Sequence, residues 1–205
     1  MIAALIIRDV RRGFTGAAWL PIVFFLLVAT LVPFAIGPDA RLLGRIGAGA
    51  LWIAALTAAL LPIERLVEPD RADGILDQLA LHGIAEESVA FAKIIAHWLT
   101  FAPLLLVAAV PASALMALDG ESLLRAEVAL AVGTPALAAL AIAVAAVTAG
   151  LPRAGALAGL LLLPLAVPLL IFGAANALAL EAAVSLLLTA SAPFVAAVAI
   201  RASRT

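Results

Sequence analysis

Hydrophobic residues in this chain fall in long runs, and one polar, acidic stretch interrupts them. Six runs approach or exceed the roughly 20 apolar residues that a helix needs to cross a hydrocarbon core. They cover about 17–36, 46–63, 94–118, 126–150, 154–175 and 178–200. Lipid cannot satisfy free backbone N–H and C=O groups, so each run is expected to be helical. The predicted fold is all-α and integral to the membrane. It forms one transmembrane domain over residues 1–205, with no shift in composition to mark a second. The first run exceeds the roughly 7–15 residues of a signal-peptide core and lacks a small-residue cleavage site at its end. It is expected to be retained.

Before the first run, Ile2, Leu5, Ile6 and Val10 fall on one helical face, and Arg8, Arg11 and Arg12 lie away from it. That pattern predicts an N-terminal interfacial helix with its basic side towards anionic headgroups. The alternative is a basic leader that merely orients the first span. Asp9 sits on the apolar flank, within reach of Arg12 or Gly13 one turn on.

The polar stretch runs from about residue 64 to residue 93. It holds Glu64, Glu68, Asp70, Asp73, Asp77, Glu86 and Glu87, seven of the chain's 13 acidic residues. At 100° per residue, Ala72, Ile75, Leu76, Leu79 and Gly83 share one arc, with Asp73 and Asp77 opposite. The spacing predicts an amphipathic helix over about 70–83, capped by Asp70 and stopped at His82-Gly83. A second helix is expected from near Ala85, carrying Glu86 and Glu87 in its first turn and running into the third span. Two uses of the 70–83 helix stand side by side. It rests its apolar face on the membrane as a solvated loop, or it wedges that face into a groove on a cytosolic partner. In the second case Ile75, Leu76 and Leu79 would supply about 1.5–3 kcal/mol each before ordering costs.

Composition supports the membrane assignment. The chain is 66% hydrophobic and 12% charged, and soluble domains average nearer 45–50% apolar and about 25% charged. A net charge of −1 provides no basic field for a phosphate backbone, which argues against nucleic-acid binding. With six spans, Arg8, Arg11, Arg12, Arg65, Arg71, Lys93, Arg153, Arg201 and Arg204 fall on one side and Arg41, Arg45 and Arg125 on the other. The positive-inside rule then places both termini and the acidic stretch in the cytoplasm.

Little catalytic chemistry is visible. Cysteine is absent, and there is no His-Glu-x-x-His pattern. No Gly-x-x-x-x-Gly-Lys-Ser/Thr loop occurs and Lys93 is the one lysine, so ATP hydrolysis is expected in a separate subunit. Ion-coupled carriers keep carboxylates within the membrane. Here each carboxylate is expected in or beside a loop, with Glu127 and Glu181 at span ends. His97 with Trp98 could ligate and stack on a haem, or form an interfacial His-Trp pair. Gly155-x-x-x-Gly159 is the spacing of a close helix contact, either between subunits or within the chain. Pro164 and Pro168 in the fifth span favour a bend, and Gly133-Thr134-Pro135 suggests one in the fourth.

Asp73-Gly74-Ile75-Leu76-Asp77-Gln78-Leu79 resembles the acidic-x-Gly-x-Leu-acidic-x-Leu pattern that follows the second span of ABC-2-type permeases. More narrowly, the chain resembles the haem exporter B (CcmB) family of the bacterial cytochrome c maturation system. The likeness runs through Asp9-x-Arg11-x-x-Phe14, Pro33-Phe34-Ala35-Ile36-Gly37-Pro38, Leu42-Leu43-Gly44-Arg45-Ile46 and Trp52-Ile53-Ala54-Ala55-Leu56. It continues through Glu64-Arg65-Leu66, Ala92-Lys93-Ile94-Ile95-Ala96-His97-Trp98, Gly133-Thr134-Pro135 and Leu163-Pro164-x-x-x-Pro168-Leu169-Leu170-Ile171-Phe172. Gly83 departs from the ABC-2 pattern, which often has proline shortly after the coupling helix. The resemblance implies a permease half in the bacterial inner membrane, paired with a second copy and a cytosolic ATP-binding subunit. It also implies cytochrome c maturation subunits C and D and the haem chaperone E as partners, with haem as a cargo and ATP bound on the partner. Asp73, Gly74, Ile75, Leu76, Asp77 and Leu79 would then take the ATPase stroke. A non-translocating scaffold that gathers haem-handling subunits is the alternative.

Overall fold

The computed structural model describes residues 1–15, 19–37 and 39–203. Pro38, Arg204 and the first two residues of the expected first span lie outside them. Among the described residues the structure is helical throughout, with no strand. Ten helices follow in order: α1 (Ile2–Thr15), α2 (Trp19–Ile36), α3 (Ala40–Leu60), α4 (Ile63–Leu66), α5 (Glu68–Ala72), α6 (Ile75–Leu81), α7 (Glu86–Leu115), α8 (Gly120–Thr148), α9 (Ala154–Ala174) and α10 (Leu178–Ala202). Six of them, α2, α3 and α7 to α10, are long and apolar enough to cross a membrane.

The six-span expectation holds, with two boundaries moved. α3 and α8 each start six residues earlier than their apolar runs, while α7 begins at Glu86 and runs unbroken into the third span, as expected. Helices continue past the hydrocarbon edge where polar residues can still complete the backbone ladder. Asp39 caps α3 by accepting from the N–H groups of Arg41 and Leu42, and Asp119 caps α8 through Ser122. α9 runs unbroken through Pro164 and Pro168, and α8 through Pro135.

α8 is the hub. It packs against α3, α4, α7, α9 and α10, and from Gly133 to Ala146 all but one residue (Pro135) is buried. Glycine and alanine dominate that stretch, which lets neighbouring backbones approach closely where lipid gives no hydrophobic drive. α2 lies at the edge, against α3 and α7, with much of its surface exposed.

Trp52 of α3 is fully buried where three helices meet. Its indole lies against Gly133 of α8 and Gly173 of α9, and a Cβ at either position would run into the ring. Neither glycine has a left-handed backbone; each is needed for space. At Gly159, by contrast, an added Cβ would meet nothing within 4 Å. Gly133→Ala should therefore cost about 1–3 kcal/mol through overpacking, whereas Gly159→Ala should be neutral or slightly stabilising. Thermal unfolding of the two variants in mild detergent measures the difference.

Candidate functional site at the polar end of the bundle

One end of the bundle gathers α1, α4, α5, α6, the start of α7, the α8–α9 turn and the end of α10. The acidic stretch lies here, and four of its seven carboxylates bond to other parts of the chain. Asp70 is only 1% exposed. Its Oδ2 accepts from Arg8 Nη2 at 2.6 Å and from Lys93 Nζ at 2.5 Å, and its Oδ1 accepts from Arg12 Nη1 at 2.9 Å. Lys93, itself 5% exposed, also donates to the Leu66 carbonyl at 3.1 Å and to Asp9 at 3.3 Å. Asp9 accepts in turn from Arg8. One carboxylate thus ties α1 and α7 to α5.

Three further acids act as staples. Glu68 pairs with Arg71 in its own helix and accepts from the Gly150 N–H at 2.7 Å, reaching the α8–α9 turn. Glu64 accepts from the Gly155 N–H at 2.6 Å, in the first turn of α9, where the helix dipole favours a negative charge. Glu87 pairs with Arg201, joining α7 to α10.

The expected single helix over 70–83 is two helices. Gly74 has φ +70°, a left-handed conformation that glycine adopts without steric cost, and it separates α5 from α6. Hydrophobic periodicity carries across such a break without registering it. Asp70 is therefore no N-cap; it is the centre of the ion cluster in the middle of α5. The stop at His82-Gly83 is as expected. Gly83 has φ +73°, Ile84 N–H bonds the Leu79 carbonyl and Gly83 N–H bonds that of Ala80, the two bonds of a Schellman end.

The apolar arc also needs correction. Leu76 is buried within the chain itself, Ile75 and Leu79 are half-buried, and Leu79 packs against the core. Ala72 and Gly83 are exposed. The face left to water carries Asp73, Asp77, Gln78 and His82, and ends in Leu81, which is 87% exposed. Leu81 falls outside the arc drawn from periodicity; its outward position depends on where α6 begins.

α1 is the expected amphipathic helix, with Leu5 buried and Ile6 half-buried against α7. Its basic side is not left to headgroups alone, because Arg8 and Arg12 turn to Asp70. His97 and Trp98 do not share a site. Adjacent helical residues point about 100° apart. Trp98 Nε1 donates to Thr134 on α8, and the imidazole of His97 stacks on Phe101, 5.6 Å between ring centres. Gly155 and Gly159 also part, since Gly155 is backed by Glu64 of the same chain.

Glu181 stands at a span end, as expected, but it is buried in the bundle instead of facing a loop. It is the fourth residue of α10, yet it is fully buried, and neither oxygen has a hydrogen-bond partner among the described residues. Ser185 donates to the Val132 carbonyl, which sets the start of α10 level with the interior of α8. Glu181 consequently sits beside Gly133, near the midpoint of α8. A carboxylate is therefore held inside the bundle, contrary to the expectation that all of them lie at its ends.

Comparison with known proteins gives a consistent result. The CcmB protein family matches residues 1–203. Heme exporter protein B of Rhodobacter capsulatus is 44% identical over 212 aligned positions, covering 97% of both chains. The protein of the same name from Paracoccus denitrificans is 42% identical with the same coverage. That of Escherichia coli K12 is 39% identical over 82% of this chain and 77% of its own length.

Removing one partner from a buried ion pair leaves the other uncompensated, typically at about 3–5 kcal/mol. Asp70→Asn should destabilise on that scale, while Asp73→Asn on the exposed face should stay within about 0.5 kcal/mol. Burial acts to raise the Asp70 pKa, but Lys93 and Arg8 outweigh it and hold the carboxyl below its ordinary value. A depressed folded-state pKa contributes stability above the ordinary carboxylate range and loses it as pH falls through the depressed value. The stability gap between the wild-type protein and Asp70→Asn should therefore be constant near neutrality and close on acidification. Unfolding curves at stepped pH read this directly.

Proposed function

The chain belongs to the CcmB family, and from that premise we propose that it is the membrane permease component of a haem exporter, driven by a separate ATP-binding subunit. Two copies would stand over two such subunits. The basic residues support the orientation. Among the described residues, Arg8, Arg11, Arg12, Arg65, Arg71, Lys93, Arg153 and Arg201 lie at the polar end, against Arg41, Arg45 and Arg125 at the other. By the positive-inside rule the polar end faces the cytoplasm, and helical spans in a protein with bacterial relatives support the inner membrane.

One observation carries the coupling role: α6, with its exposed face, packs on α5, which the Asp70 cluster ties to α1 and α7. A force applied to α6 would pass through α5 and Asp70 into α1 and the first two turns of α7. Because α7 is one continuous helix from Glu86 to Leu115, a tilt imposed at Lys93 reaches the opposite end of the bundle. Asp73 and Asp77 would steer and register the partner, and Leu81 would supply the apolar anchor, since charge sets on-rate and register more than affinity.

The partner contact should depend on Leu81 more than on Leu79, whose side chain packs inward. Leu81→Asp should weaken capture of the ATP-binding subunit at least tenfold, about 1.4 kcal/mol or more, without reducing the amount of chain in the membrane. Co-purification in mild detergent measures it. Undiminished capture by Leu81→Asp would contradict docking at α6.

A further inference from the structure

A cavity of about 290 Å³ opens between α1, α2, the α4–α5 segment and α7. It is separate from the exposed face of α6. Its lining changes character with depth. Arg12, Arg65 and Lys93 stand at the polar end, His97 lies one turn further along α7, and Phe101 lies one turn beyond that, beside Leu20 and Pro21 of α2. Lys93, His97 and Phe101 are spaced four apart, so this stripe descends about 12 Å along the helix.

We propose that this slot binds an anionic phospholipid, with the phosphate at Arg65 and Arg12 and an acyl chain along Leu20, Pro21 and Phe101. Three independent observations support that class of ligand. First, the charge is unbalanced in the right sense. The acids at the mouth, Asp9 and Asp70, are already shared among Arg8, Arg12 and Lys93, whereas the exposed Arg65 has no ion-pair partner among the described residues. Second, the mouth is at headgroup depth. Trp19 at the start of α2 is 63% exposed and Phe14 of α1 is 55% exposed, and aromatic rings of that kind collect at the membrane–water boundary. Third, the middle of the slot holds an unsatisfied polar group. His97 is 8% exposed and its Nε2 has no hydrogen-bond partner among the described residues; one turn below the basic mouth, it would meet the ester carbonyls of a seated phospholipid. A free phosphate would use only the basic mouth and leave the apolar floor uncovered. Basic pockets between membrane helices on the cytoplasmic side are suited to anionic headgroups. A lipid seated here would bridge α1 to α2 and α7, adding to the hold that Asp70 already has on Arg12.

Native mass spectrometry of the full chain in mild detergent tests this, with phosphatidylglycerol and phosphatidylethanolamine supplied as competing probes. The wild-type protein should retain phosphatidylglycerol preferentially. Arg65→Gln should reduce its retention about fivefold, the factor equivalent to about 1 kcal/mol for one basic side chain near an anionic surface. Arg65 makes no ion pair that the fold depends on, so the variant should unfold at the wild-type temperature. Leu20→Trp, which fills the slot without altering charge, should also reduce retention, and Arg153→Gln at the α8–α9 turn should leave it unchanged. Equal retention of the two lipids, or unchanged retention in both Arg65→Gln and Leu20→Trp, would overturn the proposal. So would displacement of phosphatidylglycerol by millimolar inorganic phosphate, which would mean a headgroup-free anion site, or by haemin, which would mean a porphyrin site. None of these readouts involves the ATP-binding subunit, so failure here leaves docking at α6 untouched.

Discussion

A carboxylate removed from water is unfavourable unless cations and donors surround it, and Asp70 meets that condition only when three separate pieces of chain converge. Arg8 and Arg12 come from α1 and Lys93 from α7, 62, 58 and 23 residues away in sequence. α1 cannot leave the bundle without taking two of the three cations from Asp70, and α5 cannot shift without disturbing Lys93. The chain's one lysine is committed to this cluster. Its further bond to the Leu66 carbonyl fixes α4 as well.

Three other acids extend the same logic around the polar end. Glu64, Glu68 and Glu87 each join elements distant in sequence, so the acidic stretch works mainly as a set of staples. Exposed staples of this kind are individually weak, and the buried Asp70–Lys93 contact gives the set its rigidity. Beside this set of contacts Asp73, Asp77 and Leu81 stay exposed.

The spans are legible in the sequence because hydrocarbon imposes both a length and a secondary structure. The amphipathic pattern of α1 and the stop at Gly83 are legible too, since each depends on neighbours within one or two turns. The direction of a carboxylate is not. Asp70, Asp73 and Asp77 look alike along the chain, and only the meeting of α1 with α7 shows that the first is buried and the other two are not. Gly74 reads as part of one helix because periodicity does not detect a left-handed residue. Glu181 reads as a span-end residue because its depth depends on how far α10 is recessed beside α8, a tertiary property. Likewise, His97 and Trp98 are neighbours in sequence but face different helices.

The most direct test of the central claim is hydrogen exchange of the α1 and α5 backbone amides in Asp70→Asn, set against Asp77→Asn. If Asp70 holds the polar end together, its loss should speed exchange across both residues 2–15 and residues 68–72, while Asp77→Asn leaves both segments protected. Unchanged protection of α1 in Asp70→Asn would show that the helix is held by its apolar face alone, and the account of a rigid link from α6 to α7 would fail.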